Sequence, residues 1–206
     1  MSTFTSNLSE IMSHPISAFA LLGVLLIIFA GIKLRKVKLT TRIITQISIS
    51  VALAAVLSIF SPYKLPQGGS ITIGSMIPIL LMAILYGPEI GFLTGFIYGI
   101  LTLIINPCIL HPVQVLFDYP LPFMALGLAG YFRDKKLLAT TAAVFARFIF
   151  HFISGFVFFG SYAPKGMSPY LYSLIYNGSF LGIDYAICMI IMFFIPLKQL
   201  KNIITR

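Results

Sequence analysis

Charge is scarce in this sequence. Of its 206 residues only 9% are Asp, Glu, Lys or Arg while 59% are hydrophobic, and the mean hydropathy is +1.01. No water-soluble domain of this size stays dispersed with such a composition, so a lipid bilayer is its solvent. Cysteine is nearly absent too. Cys108 and Cys188 lie far apart with no CxxC spacing, which excludes a disulfide framework and a zinc site and leaves both as packing residues. The phosphate loop GxxxxGK[ST], the HExxH helix and the GxSxG elbow are missing, so ATP hydrolysis and the common metal and serine chemistries have no residues here. No catalytic residue, metal ligand or cofactor is expected. Crossing a hydrocarbon core takes roughly 20 apolar residues, so the chain supplies roughly six or seven crossings and leaves no room for a soluble catalytic domain.

Seven apolar segments can be marked: Pro15 to Ile32, Ile43 to Phe60, Ile71 to Tyr86, Ile90 to Ile105, Pro112 to Phe132, Leu138 to Phe158 and Leu171 to Pro196. Turn residues punctuate them, among them Pro66-Gln67-Gly68-Gly69, Gly87-Pro88, Asn106-Pro107 and Ala163-Pro164-Lys165-Gly166. Met1 to His14 is polar and carries Glu10 instead of a basic leader, so the first apolar run is expected to be a retained helix and not a cleaved signal. The net charge of +9 would suggest nucleic acid in a soluble protein, but here the basic residues sit in short runs between apolar segments and report topology. With the N-terminus outside, Lys33, Arg35, Lys36, Lys38, Arg42, Arg133, Lys135, Lys136, Lys198, Lys201 and Arg206 fall inside, eleven of the 14 basic residues. Lys64 and Lys165 fall outside and Arg147 lies within a helix. The loops Ser61 to Ser70 and Phe159 to Tyr170 then face outward, where a binding site with a lid would be built.

Gly87, Gly91, Gly95 and Gly99 repeat every four residues and give one helix a face without side chains, a signal of close internal packing. Ser48, Ala52 and Ala55 form a second small-residue stripe, which serves either internal packing or docking to a partner membrane protein.

Ionisable groups inside a membrane are costly, and here they are Asp118, Arg147, His151 and Asp184, with the amide of Asn177 close by. Asp118 is either the ion-pair partner of a basic residue such as Arg147 or the counter-charge for a cationic ligand. Arg147 and His151, four apart, share a face that runs on to Gly155 and Phe159. Asn177 and Tyr172 offer donors and acceptors suited to a heteroaromatic ring edge. Asp184 lies deeper, without an obvious partner, and reads as structural. Phe158, Phe159, Tyr162, Tyr170, Tyr172 and Tyr176 form either an interfacial aromatic belt or a cage for a cation.

The stretches LPQGGSITIGSMIPIL (Leu65 to Leu80), HPVQVLFDYPL (His111 to Leu121), GLAGYFR (Gly127 to Arg133) and HFISGFVFFGSYAPKGMSPYLYSLIYNG (His151 to Gly178) carry a resemblance. From about Thr41 to Pro196 the chain resembles the thiamine-specific substrate-binding subunit, or S component, of energy-coupling factor (ECF) vitamin transporters. The resemblance implies an all-α integral membrane protein, a six-helix S-component bundle, that binds thiamine from outside. It also implies assembly with a transmembrane coupling subunit and two ATPases in the plasma membrane. Pro15 to Ile32 is then an extra transmembrane helix, with residues 1–40 holding it and a basic linker and residues 41–206 the binding domain. By resemblance the ligand contacts are Asp118, Tyr119, His151, Gly155, Phe159, Tyr172 and Asn177, beneath the loop Ser61 to Ser70, and the coupling subunit meets Ser48 and Ala52. The chain departs from the family at several points. Asp118 stands for a more familiar Glu, Phe159 for Trp, and Gly69 and Ile73 where a Trp and a Glu occur; with no Trp anywhere, ring stacking falls to Phe159 or Tyr63.

Thiamine joins a cationic thiazolium to an aminopyrimidine, so its pocket needs an acid, aromatic faces and an amide or imidazole, a set these residues supply. The alternatives are an S component for another cationic or heteroaromatic vitamin, an intramembrane enzyme using Asp118 with His151, and a purely structural subunit.

Overall fold

The computed structural model describes residues 15–35 and 37–204. The polar stretch Met1 to His14 with Glu10, and the basic residues Lys36 and Arg206, lie outside the described residues, and so do the expectations that rest on them. Helix α1 spans Pro15–Leu34, α2 Thr41–Ile59, α3 Ile77–Tyr86, α4 Pro88–Ile105, α5 Pro112–Asp118, α6 Pro120–Ala125, α7 Lys136–Phe158, α8 Pro169–Phe194 and α9 Leu197–Ile204. Short 3-10 turns at Leu126–Phe132 and Gly160–Tyr162 complete the helical part. A hairpin of β1 (Tyr63–Lys64) and β2 (Ser70–Ile71) is the sole sheet among the described residues. Among the described residues six helical stretches are long and apolar enough to cross a bilayer, α5, α6 and the 3-10 turn counting together as one. The protein is a multi-pass, all-helical membrane protein.

The third apolar segment does not form the helix expected from Ile71. Only Ile77–Tyr86 is helical, 10 residues, which is about 15 Å of rise and half of a hydrocarbon core. The preceding residues are diverted because Asp184 Oδ1 accepts the Thr72 N–H at 2.7 Å and Thr72 Oγ1 pairs with Ser75 Oγ at 2.8 Å. Gly74 turns the chain at φ +83°, in the region that glycine enters without steric penalty. Asp184 therefore has a partner that its isolation in the sequence conceals. Non-helical backbone in a membrane protein is tolerable where protein covers it; Thr72, Gly74 and Ser75 are buried, as are seven of the ten residues of α3.

The segment Pro112 to Phe132 is likewise broken, immediately after Asp118. His111 and Gln114 start α5 with a capping box. Pro120 then brings no N–H to the ladder and its ring displaces the preceding turn, so the chain restarts as α6. This broken crossing lies directly on α4. A methyl at Gly99 would fall on the Tyr119 carbonyl, one at Gly95 on the Phe123 carbonyl and one at Gly91 on Ala83, so these three glycines are the packing surface anticipated, whereas Gly87 lies before the helix and turns the chain at φ +108°.

On α2, Ile47, Val51, Ala54 and Ala55 face the core, while Ser48 and Ala52 lie on the exposed face. The stripe thus divides, and Ala55 is core. Helix α1 is peripheral: Leu25, Ile28, Phe29 and Ile32 are exposed, and Phe19 meets Phe117 edge-on at 5.9 Å.

One end of the bundle is basic and laced together. Arg133 donates to the carbonyls of Ile84 and Leu85, and Lys136 to those of Phe193 and Ile195, capping helix C-termini where cations are favoured. Helix α9, which the apolar pattern ending at Pro196 does not show, lies across this end. Arg42 there donates to the Ile203 carbonyl and Lys201 pairs with Asp134 at 3.4 Å.

Candidate ligand-binding site

At the opposite end the hairpin, the broken crossing, α7 and α8 enclose a cavity with an empty volume of about 740 Å³, open mouth included. Asp118, Tyr119, His151, Gly155, Phe159, Tyr172 and Asn177 all line it. Each reaches it for a local reason. The break at Pro120 puts Asp118 at a helix end facing inward, and positions 147, 151 and 155 of α7 succeed one another on one face.

These polar groups form a file. Arg147 Nε donates to His151 Nε2 at 3.3 Å, which makes Nε2 an acceptor and leaves the ring proton on Nδ1. Nδ1 faces Asp118 Oδ1 at 3.4 Å, and Asp118 Oδ2 accepts from Gln114 Nε2 at 2.5 Å. Arg147 does not pair directly with Asp118; the imidazole stands between them. Its guanidinium lies over the Phe123 ring at 4.3 Å, a cation–π contact, and its Nη1 is buried without a partner. In a buried donor this is costly unless a ligand fills the gap. Arg147 is thus a cavity residue and not the ion-pair partner of Asp118, in keeping with the four-residue spacing that puts it on one face with His151.

Asn177 Nδ2 donates to the His151 carbonyl at 3.1 Å, the Ser173 carbonyl at 3.0 Å and Ser173 Oγ at 3.1 Å. The amide nitrogen is fully engaged by the protein, so Asn177 offers a ligand its oxygen alone and not both kinds of group. Gly155 makes this possible, because a methyl there would collide with Ser173 Oγ and Asn177 Nδ2. Tyr119 uses its hydroxyl on the protein as well, accepting from the Cys108 N–H at 2.6 Å and donating to the Asn106 carbonyl at 3.0 Å. Its ring is what remains for a ligand.

The aromatic residues divide between the two roles open to them. Phe159, Tyr172 and Tyr176 line the cavity with Phe180, whereas Tyr170 packs on Phe156 at 4.7 Å and Phe158 on His111 at 5.4 Å, outside it. Of the two candidates for ring stacking, Phe159 lines the cavity and exposed Tyr63 does not. Gly69 is at the wall and Ile73 is exposed away from it.

The hairpin turn covers the mouth. Gln67, Gly68 and Gly69 line the cavity, and Gly69 N–H donates to the Tyr176 hydroxyl at 3.2 Å. Cys108, read from the sequence as inert packing, is also at the wall. Burial first, and the Asp118 charge second, push its thiol above the ordinary range, which disfavours the thiolate. Ser48 and Ala52 take no part in this cavity. No cluster of three potential metal ligands occurs among the described residues.

Comparison with known proteins agrees with this architecture. Residues 44–204 match the family model described as thiamine transporter protein (Thia_YuaJ), which leaves α1 outside the match. The thiamine transporter ThiT of Bacillus subtilis is 38% identical over 166 residues, covering 71% of this chain and 86% of the relative. ThiT of Lacticaseibacillus paracasei is 37% identical over 123 residues, covering 50% of this chain and 61% of the relative. A solved structure of ThiT from Listeria monocytogenes superposes with a TM-score of 0.67 at 26% identity, covering 76% of this chain and 93% of the other. An apolar chain folded as a broken helical bundle, with one carboxylate and an aromatic-walled cavity at its less basic end, thus has relatives across most of its length, and it belongs to the thiamine transporter protein family.

Proposed function

We propose that this protein captures thiamine at the outer face of the plasma membrane and serves as the S component of an ECF-type transporter. The observation that carries the reading is the cavity, in which a carboxylate, an imidazole, the Asn177 amide and six aromatic residues converge beneath the hairpin. In this reading Asp118 balances the thiazolium, and Phe159, Tyr172 and Tyr176 supply faces for the two rings. The Asn177 oxygen accepts from the pyrimidine amine, and Arg147 Nη1 donates to a pyrimidine nitrogen. Tyr119, His151 and Gly155 shape and orient this set.

The family is one of transporters, in keeping with a non-enzymatic role. Transport against a gradient needs energy, and the sequence has no phosphate loop. The ATP-driven step falls, as the resemblance implies, to two ATPases acting through a transmembrane coupling subunit, with Ser48 and Ala52 as its proposed docking face. The basic end faces the cytoplasm, which puts the cavity outside, the N-terminus outside and the C-terminus inside. Residues 41–206 are the binding domain, and residues 1–40 add a membrane helix and a basic linker.

The test is reconstitution of the chain alone in liposomes. It should bind thiamine and, with or without ATP, fail to accumulate it. Accumulation by the isolated chain would refute the division of labour, and absence of binding would refute the ligand.

A further inference from the structure

The geometry points to Gln114 as a positioning residue of the ligand site, one that sets which oxygen of Asp118 faces the cavity and ties that carboxylate to the loop beneath the lid. This rests on the reading of the cavity as a ligand site. Gln114 is a fully buried amide in which both ends are committed. Its Oε1 accepts from the Leu110 N–H at 2.9 Å and, more weakly, from the His111 N–H at 3.5 Å. Its Nε2 donates to the Cys108 carbonyl at 3.0 Å and to Asp118 Oδ2 at 2.5 Å. Two backbone donors on one side and two acceptors on the other fix the amide orientation.

Three consequences follow for the site. The bond to Gln114 draws Asp118 Oδ2 away and turns Oδ1 toward His151, where it keeps a second acceptor position for a ligand. The carboxylate is held by a charge-assisted bond instead of turning freely about its own side chain. The same amide group holds Cys108, against which the lid packs closely: a methyl on Gly68 would stand 3.2 Å from Cys108 Cβ. Lid, loop and acid are thereby joined through one side chain.

A role confined to capping α5 would be served equally by Glu, which is as good as Gln at that position of a capping box. The positioning role would not be, since a carboxylate cannot donate to both the Cys108 carbonyl and Asp118. The experiment measures thiamine affinity and thermal midpoint for the wild type, Gln114→Glu, Asp118→Asn and the double variant, all as full chains in detergent. The expected result for Gln114→Glu is an affinity lower by about tenfold or more, together with a lower midpoint, because the new buried carboxylate faces Asp118 and leaves the Cys108 carbonyl without a donor. In the double variant the new amide at position 118 can donate to the new carboxylate at position 114, so its loss should fall well short of the product of the two single losses. Wild-type affinity in Gln114→Glu, or losses that simply multiply, would overturn the inference. Should Gln114→Glu fail to fold, the double variant still decides: recovery of folded protein supports the pairing and no recovery overturns it. A wild-type chain that binds no thiamine would instead sink the functional reading, a separate outcome.

Discussion

Replacing Asp118 by Asn removes one charge with almost no change of volume, at the centre of the proposed site. The Gln114 amide demands an acceptor at Oδ2, so the Asn oxygen takes that place and its NH2 turns toward His151 and the cavity. The ligand then loses a negative charge and meets a donor where it had an acceptor. At about 5 Å and an effective dielectric of about 20, a single charge pair is worth about 3 kcal/mol. Losing a charge-assisted contact costs about 1.5 to 3 kcal/mol, so thiamine affinity should fall by about ten- to a hundredfold. The lower figure applies if water enters through the mouth. Equilibrium dialysis with labelled thiamine is the suitable assay, because the chain has no Trp to report binding by its own fluorescence. An uncharged analogue with the same aminopyrimidine provides the control and should lose far less. Equal losses for the two ligands would mean that the carboxylate serves the pyrimidine or the fold, and the charge argument would be wrong.

Three further outcomes are expected. A cysteine at Gln67 or Lys165 should react with an impermeant thiol reagent on intact cells and one at Lys135 should not, with thiamine protecting position 67; equal labelling at 135 and 165 would reverse the orientation. Ala52→Leu should block approach of a partner helix, abolishing uptake in cells while the purified chain still binds; parallel loss of both would make that face internal. Gly155→Ala drives a methyl into Ser173 Oγ and Asn177 Nδ2, an overpacking worth about 1 to 3 kcal/mol, so the thermal midpoint and the affinity should both fall and Ser173→Gly should restore part of each. An unchanged midpoint in Gly155→Ala would show that α7 and α8 are less tightly joined than described.

How much of this was legible in the sequence depended on whether a residue's meaning lay in its own chemistry or in what it touches. Asp118, His151 and Asn177 stand out because polar atoms in apolar helices need a reason, and all three line the cavity. The glycines of α4 could be read because a face without side chains has one common use. Gln114 stands in a quoted motif yet gives no signal of its own, since its importance is the convergence of Leu110, Cys108 and Asp118 around one amide. Arg147 is legible as the facial neighbour of His151, but not as a cavity residue, and Cys108 reaches the wall only through the fold of its loop. The shortness of α3 was hidden because Thr72 and Ser75 sit in an apolar run, and the Asp184 carboxylate that captures Thr72 is more than a hundred residues away. Helix α9 was missed because eight residues after a proline, two of them lysines, carry no signal of a crossing.

The most direct test of the central claim is the identity of the compound that the protein itself retains. The full chain, purified from membranes of cells supplied with a mixture of cationic and heteroaromatic vitamins, washed and denatured, should release thiamine in equimolar amount, as read by mass spectrometry. Release of a different vitamin would keep the fold and the site and contradict the ligand. Release of nothing, from folded protein that also fails to take up thiamine afterwards, would contradict the whole account of the cavity.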